Sequence, residues 1–363
     1  MMFSGICNRQ CWHPWVMLLF CLLCFPFAMA EDPSSSMPPA TSRKGWRSSI
    51  TSWFASVEAR SRETLGHGRG LGAEQITKFI FPGLFIKSSY LVEGTIIGDN
   101  FTLHHVQTAP SGKNGLVYKG CLLKPYHQGT QNKNKVTTKL LVWFHGNAEH
   151  AAQVVYTASD LFKELSRHNN FSPDRWAVLA VEYPGFDSSE GLPQSFVLEN
   201  MIKMWSEWLQ DGAYKDDHVF LLGRSIGTAM ATYWAAQYMS DGLILDAPFA
   251  SVADIAASIV PIPGLSFFAR KLFGNTLETE SFVSKVQVPT LVITRGKDEV
   301  VREYLGIKQY EAIKATNSAP TNHISLLKAD HNNFNGERDQ YHKRIGRFLL
   351  ESENQAERVG FKQ

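Results

Sequence analysis

The sequence predicts an α/β protein built on one mostly parallel sheet with helices on both faces. Three observations carry that reading. Continuous apolar runs recur at residues 140–144, 177–181, 219–222, 243–245 and 291–293, as expected of strands covered on both faces. Stretches of helical period separate them: Val197, Met201, Met204, Trp205, Trp208 and Leu209 fall at spacings that line one helix face. The composition is that of an ordinary globular chain, with 44% hydrophobic and 19% charged residues over 363 positions, enough to bury a sizeable core. A β-α-β-α alternation of this kind implies a doubly wound sheet.

The chain begins in a different texture. Arg9 precedes an uncharged apolar run at residues 15–25, then Pro26 and Ala28-Met29-Ala30. This is the layout of a secretory signal peptide over residues 1–30, cleaved after Ala30. The run is shorter than the roughly 20 residues a spanning helix needs. The expectation is a secreted or periplasmic protein; the alternative is a membrane-anchored one with the signal retained. Of five cysteines, Cys7, Cys11, Cys21 and Cys24 lie in the signal and Cys121 remains. The mature chain then has no internal disulfide, and Cys121, in an alternating apolar stretch, reads as a buried small hydrophobe.

Residues 31–72 are rich in Pro, Ser, Gly and Arg and read as a linker or loosely ordered arm, with one helix expected at 52–60. The basic run Arg43, Lys44, Arg47 reads as a solvated tail. The main domain is expected over residues 73–363. It opens with short β-rich runs at 92–97, 101–106 and 116–122, separated by turn residues, which predict antiparallel strands. Residues 251–283 are too long for a simple crossover. They carry many apolar residues broken by Pro261 and Pro263, and are expected to form a small helical cap insertion.

The chemistry is concentrated where strands end. Gly223-Arg224-Ser225-Ile226-Gly227 follows the run at 219–222 and leads into a helix-compatible stretch at 228–239. That strand, sharp turn and helix context is what a nucleophile elbow requires, with glycines at ±2 because bulkier neighbours would collide with strand and helix. A serine hydroxyl is a weak nucleophile at neutral pH and needs a base. Asp298 follows the strand at 290–294, and His331 follows the strand at 324–327, giving the order Ser, acid, His. Glu299, or Asp246 at the end of another strand, are the competing acids. Asp330 is read as a turn former. Donors for an oxyanion are expected from the backbone N–H of Ile226 and from Asn147, in the loop His145-Gly146-Asn147-Ala148 after the run at 140–144. His145 is read as structural.

This constellation resembles the α/β-hydrolase superfamily: the His145-Gly146-Asn147-Ala148 loop, Glu182-Tyr183-Pro184-Gly185-Phe186, the elbow at Ser225, Gly296-Lys297-Asp298 and Asp330-His331 all stand in the family order, over about residues 91–350. Within it the chain is similar to the single-domain branch that includes acyl-protein thioesterases (depalmitoylases), from which the exported N-terminus departs. The resemblance implies the α/β-hydrolase fold, a cap after the sixth strand and a serine hydrolase acting on carboxylic esters or thioesters. The expected partner is a small-molecule or lipid-like acyl ester. The cap, or an uncleaved signal, is the expected point of membrane-surface contact.

Other classes lose support. A formal net charge of +2 with scattered basic residues gives no footprint for nucleic acid. Adjacent His104 and His105 on a strand point to opposite faces, and no phosphate loop or dinucleotide fingerprint is present. No cofactor and no metal are expected. Two rivals remain: a serine peptidase or amidase of the same fold, and a non-catalytic binding protein.

Overall fold

A computed structural model describes residues 91–360, apart from 99–100, 111–114, 127–138, 148, 169–170, 188, 213, 215–216 and 260–278. The signal, the linker and the expected helix at 52–60 lie outside the described residues, as does the middle of the cap insertion. Only the two ends of that insertion are described, α4 (Val252–Ile259) and α5 (Glu280–Val283).

Three strands open the sheet, β1 (Ile96–Ile97), β2 (Phe101–Gln107) and β3 (Lys119–Pro125), each antiparallel to the next. Two expected boundaries shift. Only Ile96 and Ile97 of the run at 92–97 stand in the ladder register: Gly94 takes a positive φ of 79° and the Thr95 hydroxyl donates to Val92 O, turning the chain there, while Gly94 N–H and Thr95 O still bond to Leu103. The strand expected at 116–122 begins at Lys119 and runs through Pro125. Its register is fixed by its partners: Gly120 lies opposite β5, where an added Cβ would stand 2.8 Å from Ala180 O.

The parallel part follows: β4 (Lys139–Phe144), β5 (Trp176–Val181), β6 (His218–Arg224), β7 (Gly242–Asp246), β8 (Thr290–Arg295) and β9 (Thr321–Leu326). The order across the sheet is β1-β2-β3-β5-β4-β6-β7-β8-β9, and every pair from β5 to β9 is parallel. Strands β4, β5, β7 and β8 are buried along their whole length, which explains why their sequences run apolar without alternation.

Helices cover both faces. On one, α1 (Ala151–His168) packs beside α7 (Arg338–Gly360). Val155, Phe162, Leu165, Ile345 and Leu349 join Leu141, Trp143, Phe220 and Ile244 in one core. On the other lie α2 (Ser195–Asp211), α3 (Gly227–Gln237) and α6 (Glu303–Thr316). Helix α2 buries Val197, Leu198, Met201, Ile202, Trp205 and Leu209, a stripe at three- and four-residue spacing. Trp234 of α3 meets Phe144 edge-on at 6.0 Å. Because β4 and β6 are neighbours in register, with Phe144 opposite Gly223, the loops leaving their C-terminal ends emerge side by side.

Candidate active site

The elbow is a strained turn that its neighbours over-determine. Ser225 sits at φ 52°, in the left-handed region, where an L-residue loses roughly 1–2 kcal/mol. Three hydrogen bonds hold it there: Ser225 N–H to Asp246 O (2.8 Å), Thr228 N–H to Ser225 O (3.0 Å) and Thr228 Oγ1 to the same carbonyl (2.6 Å). The flanking glycines are sterically required. A Cβ on Gly223 would stand 2.5 Å from Gly227 O, and one on Gly227 only 2.2 Å from Phe144 O. Ser225 Oγ makes no hydrogen bond among the described residues.

Asp298 and His331 come together. His331 Nδ1 lies 2.7 Å from Asp298 Oδ2, while Asp298 Oδ1 accepts the N–H groups of Val300 (2.8 Å) and Val301 (2.7 Å). The carboxylate is fully buried. Its two oxygens are therefore assigned: one fixed by backbone donors, the other to orient an imidazole through Nδ1 and leave Nε2 for chemistry. Asp330 shapes the loop, its Oδ1 accepting the N–H groups of Asn332 and Asn333.

Asp246, the competing acid, is committed elsewhere. It is fully buried and grips Arg295 through two bonds, Nε to Oδ1 (3.0 Å) and Nη2 to Oδ2 (2.7 Å), and it also accepts from Tyr341 Oη (3.2 Å). Burial opposes its ionisation, but the Arg295 guanidinium holds its carboxyl below the usual carboxylate range. Arg295 in turn donates through Nη1 to the carbonyls of Asp330 and His331, each at 3.1 Å. This network anchors the histidine loop to the sheet.

The expected oxyanion donors lie on adjacent strand ends. Ile226 caps α3, and its N–H has no acceptor among the described residues. Asn147 lies in the turn after β4, closed by Glu149 N–H to Gly146 O (3.3 Å). Beneath that turn His145 is wholly buried, bonded to Glu182 Oε1 (3.2 Å) and stacked on Tyr183 at 4.0 Å, and Tyr183 Oη donates to His145 O (2.7 Å). Burial would raise the Glu182 carboxyl, yet hydrogen bonds from His145 and His150 bring it down to about 2. His145 is thus a strut for the loop.

Several residues at the site carry no motif. Arg224, Glu149, Arg295 and Tyr341 are such cases; the one available signal was the charge of Arg224 and Arg295 directly beside apolar strand ends. Cys121 is buried, and burial pushes its thiol up to about 12, away from thiolate chemistry. His104 pairs with Glu93 and His105 Nε2 meets Leu91 O. Among the described residues no group of three His, Cys, Asp or Glu side chains could hold a metal ion.

Residues 139–263 match the family model described as alpha/beta hydrolase fold. That stretch runs from β4 through the elbow to the start of the insertion. The chain has the α/β-hydrolase fold. An uncharacterised protein of Acanthamoeba polyphaga mimivirus is 25% identical over 55% of this chain and 69% of its own length. The alpha/beta hydrolase domain-containing protein 17B of Xenopus laevis is 26% identical over 47% of this chain and 54% of its own, so the match spans about half of that relative. Among solved structures, an esterase of Pyrococcus furiosus shares the fold at a TM-score of 0.54 and 16% identity, over 73% of this chain and 97% of that one.

Proposed function

We propose that the protein is a serine hydrolase cleaving carboxylic ester or thioester bonds through an acyl-enzyme. The observation that carries the proposal is the joint geometry of the strand ends. A serine is held at positive φ with its hydroxyl uncommitted among the described residues, and a histidine is oriented through Nδ1 by a buried carboxylate.

In the proposed reaction His331 Nε2 takes the Ser225 proton as Oγ attacks the acyl carbonyl. Asp298 keeps the imidazole in the tautomer that leaves Nε2 basic and stabilises its protonated form. The N–H groups of Ile226 and Asn147 receive the oxyanion of the tetrahedral intermediate. The C–O or C–S bond then breaks and His331 returns the proton to the departing alcohol or thiol. Water, deprotonated by His331, attacks the acyl-serine; the acid leaves and Ser225 regains its proton. With the N-terminal segment read as a secretory signal, this chemistry runs outside the cytoplasm.

The test is hydrolysis of p-nitrophenyl esters from acetate to palmitate, and of an acyl thioester, by the wild type and by Ser225→Ala. Loss of turnover by roughly a millionfold is expected for the alanine variant. Equal activity of the two proteins removes Ser225 as nucleophile. Turnover of amides alone moves the protein to the peptidases of this fold.

A further inference from the structure

We propose that Arg224, braced by Glu149, is a positioning residue that ties the oxyanion loop to the histidine loop across the nucleophile; this rests on the Ser-Asp-His reading above. The arginine directly precedes Ser225. Its Nη1 donates to Glu149 Oε1, and its Nη2 donates to His331 O (2.9 Å) and Asn332 Oδ1 (3.1 Å). The second oxygen of Glu149, Oε2, accepts the N–H of Gly146 (2.7 Å), the residue before the Asn147 donor. The contact is close: a Cβ added to Gly146 would stand 3.0 Å from Glu149 Oε2 and 3.4 Å from Arg224 Nη1. One guanidinium and one carboxylate thus link all three segments of the site: the oxyanion turn, the elbow and the loop that carries the base.

The chemistry requires arginine at this position. A planar fork presents separate donors to partners on two sides, whereas an ammonium on a flexible stem is a point charge. The pair contributes little to stability. The side chains of Arg224 and Glu149 are 17% and 33% exposed, so the pair is part-buried and solvent screens it in part. Nor does the histidine loop depend on Arg224 to fold, because Arg295, locked to buried Asp246, donates to the same His331 carbonyl. What Arg224 adds is registration. A displacement of about 1 Å between reacting groups costs about a hundredfold in rate. Arg295 ties the base to the sheet, and Arg224 ties it to the oxyanion donors.

The experiment compares wild type, Arg224→Lys, Glu149→Gln and the double variant. It measures kcat and KM on the best p-nitrophenyl ester, the rate of Ser225 labelling by a fluorophosphonate, and Tm. In Glu149→Gln the amide offers one acceptor oxygen where the carboxylate offers two, so it cannot serve Gly146 and Arg224 together. Each single variant is expected to lose about 30- to 100-fold in kcat, with KM within about threefold and a proportionate fall in labelling. Tm is expected to stay within about 3 °C, since little stability is lost. The double variant is expected to be no more than about threefold below the worse single, because the two act as one unit. Wild-type kcat in either single variant, losses that multiply in the double, or a KM rise with kcat unchanged overturns the positioning role while leaving the nucleophile in place. A wild type that the fluorophosphonate does not label at Ser225 overturns the nucleophile reading itself, and the positioning role with it.

Discussion

Replacing Asp298 by Asn changes one atom and separates orientation of the base from stability of the fold. In the wild type, Asp298 Oδ1 accepts two backbone N–H groups, from Val300 and Val301, and Oδ2 faces His331 Nδ1. An asparagine has one oxygen. It stays with the two backbone donors, since turning the amide nitrogen toward them would set N–H against N–H. The amide N–H then points at His331 Nδ1, which must accept and lose its proton. The imidazole proton moves to Nε2, and the base is in the wrong tautomer. The same substitution in a triad of this logic lowers kcat by roughly ten-thousandfold, which corresponds to about 5 kcal/mol of transition-state stabilisation at about 1.36 kcal/mol per decade. Packing and both backbone hydrogen bonds survive, so stability should change by about 1 kcal/mol or less. The assay is steady-state ester hydrolysis alongside urea unfolding of the same preparation. A kcat within about tenfold of wild type, with the fold intact, would mean that Asp298 does not orient His331.

Asp246→Asn should do the reverse in stability. It leaves Arg295 buried without its counter-charge, and removing one partner of a buried pair costs about 3–5 kcal/mol, read as a lower urea midpoint; an unchanged midpoint would contradict the assigned network. The pH response of stability should carry the signature of Glu182. Its folded value of about 2 lies below the ordinary glutamate value of 4.5, so its contribution is present above pH 4.5 and is lost as pH falls from there through about 2. Glu182→Gln should flatten the fall in Tm over that window, and an identical slope in both proteins would remove Glu182 as its source.

The architecture was legible because burial on both faces writes itself into sequence as unbroken apolar runs. In such a sheet the residues that follow these runs gather at one edge. Ser225, Asp298 and His331, the residues proposed for the triad, were read on that basis: Ser225 directly follows β6, and Asp298 and His331 lie in the loops after β8 and β9. Strand ends at the antiparallel side were less legible. Residues 116–125 alternate acceptably in more than one frame, and the frame is chosen by β5, which has to pass close to Gly120.

Asp246 and Asp298 show where pattern stops being informative. Both are aspartates at or just after the C-terminal end of a buried parallel strand, and the sequence leaves both eligible as the acid. Locally, only the Ala247-Pro248 step and the insertion that follow Asp246 favour Asp298. What separates them is their partners: Arg295, 49 residues on, takes both oxygens of Asp246, whereas His331, 33 residues on, takes one oxygen of Asp298. The same holds for Arg224, whose partner Glu149 lies 75 residues earlier and whose second contact, His331 O, lies 107 residues later. A charged side chain beside a strand end reads in sequence as a solvated turn residue. It acquires a role only when the fold brings a counter-charge or carbonyl within hydrogen-bond distance. For this site, partner exchange between the two aspartates is therefore the sharpest test of the assignment. If Asp298→Asn abolished stability and Asp246→Asn abolished turnover, the two roles would have to be swapped.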